Sequence, residues 1–215
     1  MKNARTIRTL GLLLASQLIL PAAIAGGVAL NKNLLSNGGA EAGPASPDGY
    51  TVVEVPKWTT EGDFTVVVYG TPAFPALDSP GPAERGMQFF AGGPNNAQSS
   101  ITRTLNLKAL AADIDAGTVR GTLSGYLGGY STQNDHADLA VVFFDAAGVE
   151  LRSVSLLTVT STDRGGVTGL LKRKAVGDVP VGARSARVTL VMTRTEGAYN
   201  DGYADSLSLV LTKKP

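Results

Sequence analysis

Residues 187–211 read RVTLVMTRTEGAYNDGYADSLSLVL, and their alternation decides the fold class. Val188, Leu190 and Met192 alternate with Thr189, Val191 and Thr193, the period of two that marks a strand with one buried face. Leu207, Leu209 and Leu211 repeat the pattern against Ser206 and Ser208. Between the two runs, Gly197, Asn200, Asp201 and Gly202 supply turn chemistry that tolerates positive φ. The expected element is a β-hairpin with a long tip. Asp205 shares the parity of Leu207 and Leu209, so it should point toward the core at the start of its strand. A carboxylate there is costly unless it is paired, hydrogen-bonded or bound to a cation.

The same rhythm runs outward through the chain. Gly, present 26 times, and Pro interrupt it at short intervals. A brief strand is expected at Asn33–Leu35, a weak one at Tyr50–Val55 and a strongly β-prone one at Phe64–Tyr69. Pro72, Pro75, Pro80 and Pro82 make 70–86 a long surface loop. Strands follow at Met87–Phe90 and Ser100–Leu107. Ala109–Asp115 is the one helical piece, stopped by Gly117. Further strands are expected around Val119–Leu127, Leu139–Phe143, Leu151–Thr160 and Val167–Val176. About eight to ten short strands fit an all-β sandwich of two antiparallel sheets.

The first residues have a different character. Lys2, Arg5 and Arg8 precede an apolar run from Leu10 to Leu20, and Ala23-Ile24-Ala25 fits a cleavage site. This reads as a signal peptide, residues 1–25, followed by a short leader, 26–32, and one domain, 33–215. The alternative is an uncleaved anchor, since no charge occurs between Arg8 and Lys32. Cleavage would give a secreted, extracellular protein with no membrane segment. It would also remove Lys2, Arg5 and Arg8 and no acid, taking the formal net charge from +1 to −2. Such a chain has no electrostatic basis for binding nucleic acid. With no cysteine, its stability must come from the core, with or without a metal.

Catalytic signatures are missing. The one histidine, His136, lies in a polar segment and reads as a loop residue. No G-x-S-x-G, H-E-x-x-H or G-x-x-x-x-G-K-[ST] pattern occurs, so the chain is expected not to be an enzyme. Lys172, Arg173 and Lys174 read as a solvated face.

Two sets of residues suggest binding. Tyr126 and Tyr130 flank Gly128-Gly129, and Tyr199 and Tyr203 flank Asn200-Asp201-Gly202. Sugars stack their C–H faces on aromatic rings and present hydroxyls to amides and carboxylates, a role open to Gln133, Asn134, Asp135 and Asp138. The bland alternative is that the tyrosines anchor loops on the sandwich rim. The second set is Glu41 and Asp205. Calcium needs six to eight oxygens, so turns near Asn37-Gly38-Gly39 and Asp63 would have to add carbonyls. The competing reading is that Asp205 hydrogen-bonds a neighbouring strand end.

The segment Asn33, Leu34, Leu35, Asn37, Gly38 and Glu41, with Asp205, Leu207, Ser208 and Leu209 at the other end, resembles the galactose-binding-like jelly-roll family. That family includes many carbohydrate-binding modules. The resemblance implies a jelly-roll sandwich whose two ends lie together, often around a structural Ca2+, and a carbohydrate ligand. The alternative partner is a protein bound through the same sandwich.

Overall fold

The computed structural model describes residues 28–215. The expected signal peptide lies outside them. Ten strands form two antiparallel five-stranded sheets. The first sheet runs β1 (Thr59–Glu61), β4 (Gln98–Asn106), β9 (Ser185–Thr193), β6 (His136–Phe144), β7 (Glu150–Ser155). The second runs β2 (Thr65–Val68), β3 (Gln88–Pro94), β10 (Tyr199–Lys213), β5 (Val119–Gly129), β8 (Gly169–Asp178). This is the expected jelly-roll sandwich. The helical piece is a single turn, Lys108–Leu110, running into a short helix α1, Ala111–Asp115. Tyr50–Val55 forms no strand, and β7 ends at Ser155.

Residues 187–211 are not a hairpin. β9 is bonded to β4 and β6, whereas β10 is bonded to β3 and β5 in the other sheet. Ile101, Leu190 and Leu139 lie in one rung of the first sheet, and Leu209 and Leu123 in one rung of the second. All five are buried in the common core. The link at 194–198 therefore steps across the roughly 10 Å between packed sheets. Alternation reports which face of a strand is buried. It carries no information about which neighbour receives the hydrogen bonds. The expected turn at Asn200–Gly202 also lies within β10.

The phase of Asp205 differs too. Along β10, Asp205 stands opposite Tyr126 and Ser208 opposite Ser124, so three steps on β10 meet two on β5. This bulge is built at Ser206, whose φ is 51°. An inserted residue reverses the alternation. Ala204, Leu207, Leu209 and Leu211 then face the inter-sheet core, while Tyr203 lies in a separate cluster on the outer face of the second sheet. Asp205 shares that outer side with Tyr69, yet is 0% exposed.

The cover is the proline-rich loop 70–86. Phe74 packs against Phe89, Tyr199 and Tyr203. Arg85 ties the loop together by donating to the carbonyls of Pro82, Ala76 and Ser79. Its guanidinium lies 5.1 Å from the centre of the Tyr69 ring. Leu170 N–H donates to Pro80 O at 2.8 Å. Beneath lie Val67, Tyr69, Phe89, Ala91, Leu170, Tyr199 and Tyr203.

The N-terminal segment closes the sandwich. Asn33 makes an isolated bridge to Val210 instead of a full strand. Its side chain caps both directions, donating to Leu207 O at 3.0 Å and accepting from Leu209 N–H at 3.1 Å. Gly38 O accepts from Leu207 N–H at 2.7 Å. Residues 33–38 thus lie alongside β10.

Candidate functional site

The outer aromatic cluster opens at one end into a pocket of about 180 Å³ lined by Tyr50, Ala73, Phe74, Tyr130, Tyr199 and Asp201. Four separate stretches of chain meet there. Tyr50 comes from a turn held by Asp48, whose carboxylate accepts the N–H groups of Tyr50 and Thr51, both at 2.8 Å. Those bonds hold the Asp48 carboxyl down at about 2. Phe74 comes from the covering loop, Tyr130 from just beyond β5, and Tyr199 and Asp201 from β10.

The Tyr199 ring is the fixed wall. Its hydroxyl donates to Gly49 O at 2.7 Å, and its ring meets Tyr50 at 5.2 Å and Phe74 at 5.3 Å, both edge to face. Such contacts orient rings as well as bury them. Gly49 has φ +81°, and a Cβ there would stand 2.2 Å from the Phe74 ring, so no other residue fits. Tyr50 is 59% exposed.

Asp201 supplies the polar group. Burial pushes its carboxyl up to about 6 and the charge of Asp135 adds to this, while the Tyr203 hydroxyl and Arg164 act the other way. Tyr203 O–H donates to Asp201 Oδ1 in a short bond. Arg164, itself buried, donates to the carbonyls of Ser131, Val167 and Gln133 and so fixes the turn that carries Tyr130. Its Nε is buried without a partner among the described residues, as is Gln133 Oε1.

Of the residues expected from sequence to bind, Tyr130 and Tyr199 come together in the pocket. The others take different places. Tyr203 is 0% exposed beneath Phe74 and Phe89, where no ligand can stack on it. Tyr126 lies opposite Asp205 and Lys172 on the sheet surface, with the Lys172 ammonium 5.9 Å from its ring centre. Asp135 is 0% exposed. Its Oδ1 accepts Thr195 N–H at 2.6 Å, Glu196 N–H at 3.0 Å and the Thr195 hydroxyl at 3.1 Å, and its Oδ2 accepts Asp201 N–H at 2.9 Å. It staples loops together and has no oxygen facing a ligand. Asn134 is exposed but binds Ser161 and Glu196 outside the pocket. His136 is held between Asn134 O at 2.8 Å and Asp138 Oδ2 at 3.3 Å, also away from it. The imidazole is raised above its ordinary value, first by the hydrogen bond to Asp138.

Tyr50, Phe74 and Asp201 are the residues that sequence reasoning did not pick for this role. Tyr50 and Phe74 sit far from the tyrosine pairs in sequence. Asp201 looked like turn chemistry.

Glu41 and Asp205 lie near each other. They flank Gly39, where a Cβ would lie 3.6 Å from Asp205 Oδ1 and 4.0 Å from Glu41 Cγ. Glu41 Oε1 accepts Met87 N–H at 3.0 Å and Gln88 N–H at 2.9 Å. Asp205 Oδ2 accepts the Tyr69 hydroxyl at 2.9 Å, and Oδ1 accepts Ser206 N–H. Burial pushes the Asp205 carboxyl up to about 7, and the Glu41 charge adds to it. Two neighbouring carboxylates suit a hard cation in charge and donor chemistry, but Glu41 Oε1 and both Asp205 oxygens already accept hydrogen bonds, so backbone oxygens would be needed to complete a shell. Among the described residues no group of three or more acidic, His or Cys side chains is assembled.

No family model matches the chain, and no curated protein matches it. Solved structures do. A family 16 carbohydrate-binding module matches with a TM-score of 0.50 and 19% identity, over 83% of this chain and 99% of that one. A family 61 carbohydrate-binding module in complex with β-1,4-galactotriose matches with a TM-score of 0.45 and 19% identity, over 85% of this chain and 99% of that one. The enzymatically active domain of bacteriophage CBA120 tailspike protein 4 matches with a TM-score of 0.48 and 17% identity. There the match covers 85% of this chain but only 21% of the tailspike chain. The likeness is one of fold: the chain shares the two-sheet sandwich of the family 16 module.

Proposed function

We propose that this protein is a secreted, non-catalytic carbohydrate-binding domain. One observation carries the reading. Four aromatic residues, Tyr50, Phe74, Tyr130 and Tyr199, line a small open pocket together with Asp201. Apolar walls with a few placed polar groups are the usual build of a small-ligand site. Sugar C–H faces pack on such rings and hydroxyls pair with such a carboxylate. The likeness in fold to carbohydrate-binding modules points the same way. A glycan array probed with the wild-type domain and with Tyr50→Ala tests it. Tyr50 is exposed, so its loss should spare the fold and weaken binding by about 1–3 kcal/mol. An array on which the folded wild type binds nothing would favour a protein partner instead.

Calcium has a structural part in this proposal. Glu41 and Asp205 would hold the ion. The cation would neutralise two carboxylates that otherwise repel, and would clasp the N-terminal segment to β10. At a hundredfold excess over its dissociation constant it should stabilise the fold by about 2.7 kcal/mol. Calorimetry with calcium and with EDTA reads this directly. A melting curve indifferent to both would assign Asp205 to its Tyr69 hydrogen bond alone.

A further inference from the structure

We infer that the pocket takes the single terminal residue of a neutral glycan, and so recognises chain ends instead of chain interiors. This rests on the carbohydrate reading above and extends it to the class of ligand.

Size is the first argument. A cavity of about 180 Å³ lies well below the range of about 300–1,000 Å³ typical of pockets for larger ligands. It is the scale of one pyranose ring. Ring geometry is the second. Tyr199 meets Tyr50 at 70° and Phe74 at 81°, so the walls form a corner. A glycan chain running across a protein needs successive rings facing the same way. A corner grips one sugar from two sides. Enclosure is the third. The Tyr50 turn, the 70–86 loop, the turn after β5 and the start of β10 surround the space, and Tyr203 with Phe89 lies behind Phe74.

A second open surface differs. The outer face of the first sheet carries a larger hollow of about 510 Å³ lined by Thr59, Glu61, Gln98, Ser100, Thr102, Arg187, Thr189 and Val191. It has the room for a chain and no aromatic ring to hold one.

Charge selects the sugar. Asp201 is the one charged side chain in the lining. Its Oδ1 is taken by the Tyr203 hydroxyl, which leaves Oδ2 to accept from a sugar hydroxyl. A carboxylate on the sugar would meet that oxygen with like charge in a half-buried setting, which is unfavourable.

The test uses calorimetric titration of the purified protein with four neutral ladders, mono- to tetrasaccharides of galactose, glucose, xylose and N-acetylglucosamine. Each is paired with a counterpart ending in a uronate. The expected result is binding at the monosaccharide in at least one ladder, with affinity changing less than about threefold up to the tetrasaccharide, and at least about tenfold weaker binding of the uronate-capped form. Asp201→Asn should narrow that gap. An affinity that climbs more than about tenfold with length, or equal binding of capped and uncapped forms, overturns the inference. If such binding is still lost in Tyr50→Ala, the carbohydrate reading survives its failure. Absence of binding to every ladder and to the array overturns both.

Discussion

Replacing Asp135 by Ala should unfold the pocket end of the molecule, although the residue touches no ligand. The side chain is fully buried and accepts four hydrogen bonds, three from the backbone N–H groups of Thr195, Glu196 and Asp201 and one from the Thr195 hydroxyl. Hydrogen bonds to a charged acceptor contribute about 1.5–3 kcal/mol each, and buried donors left without a partner cost about 1–3 kcal/mol each. The bonds share one carboxylate and water can enter the space, so the losses do not add fully. A net loss of about 3–5 kcal/mol is expected, as for other broken buried charge networks. Asp135→Asn should lose less, because one carbonyl oxygen remains, but its amide would face a donor. Urea unfolding monitored by tryptophan fluorescence measures both. The Asp201 backbone is positioned by this staple, so glycan binding should weaken in step with stability. A variant with wild-type stability and abolished binding would refute the reasoning and return Asp135 to the role of a ligand contact.

Tyr203→Ala should cost about 3–5 kcal/mol through the cavity it leaves beneath Phe74 and Phe89, whereas Tyr50→Ala should leave the melting temperature nearly unchanged. Equal thermal shifts in the two would contradict the assignment of one ring to packing and the other to the ligand. The raised carboxyl of Asp201 sets a pH dependence. Its folded value of about 6 lies above its unfolded value of 3.8, so its contribution to stability is complete below about pH 4 and is lost as pH rises through 6. Asp201→Asn lacks that loss, so its stability relative to wild type should rise between pH 4 and pH 7, by about 1–2 kcal/mol once solvent screening of the half-exposed carboxyl is allowed for. A difference that stays flat across this window would show that Asp201 titrates normally.

Much of the sandwich was legible because burial leaves a mark at every second residue. Val188, Leu190 and Met192 face the core as their alternation says, and so do Leu207, Leu209 and Leu211. Pairing leaves no such mark, and that is why two facing strands from opposite sheets read as a hairpin. The bulge at Ser206 was hidden for a related reason. Serine at positive φ has no sequence signature, yet one inserted residue carried Asp205 from the core side to the outer side. The proline-rich loop could be recognised as a loop, but its role as a cover depends on Phe74 reaching Tyr199 and Tyr203, far away in sequence. One member of each tyrosine pair, Tyr130 and Tyr199, lines the pocket. The pairs themselves could not tell Tyr199, at the pocket wall, from Tyr203, sealed beneath it.

The central claim is that glycans bind in the pocket between Tyr50, Phe74 and Tyr199. The most direct measurement is an amide chemical-shift titration of the labelled domain with the tightest-binding glycan from the array. The largest shifts are expected at Ala73, Phe74, Tyr130 and Asp201, with the first sheet unaffected. Shifts centred on Thr59, Ser100, Thr102 and Thr189, with the pocket silent, would contradict it.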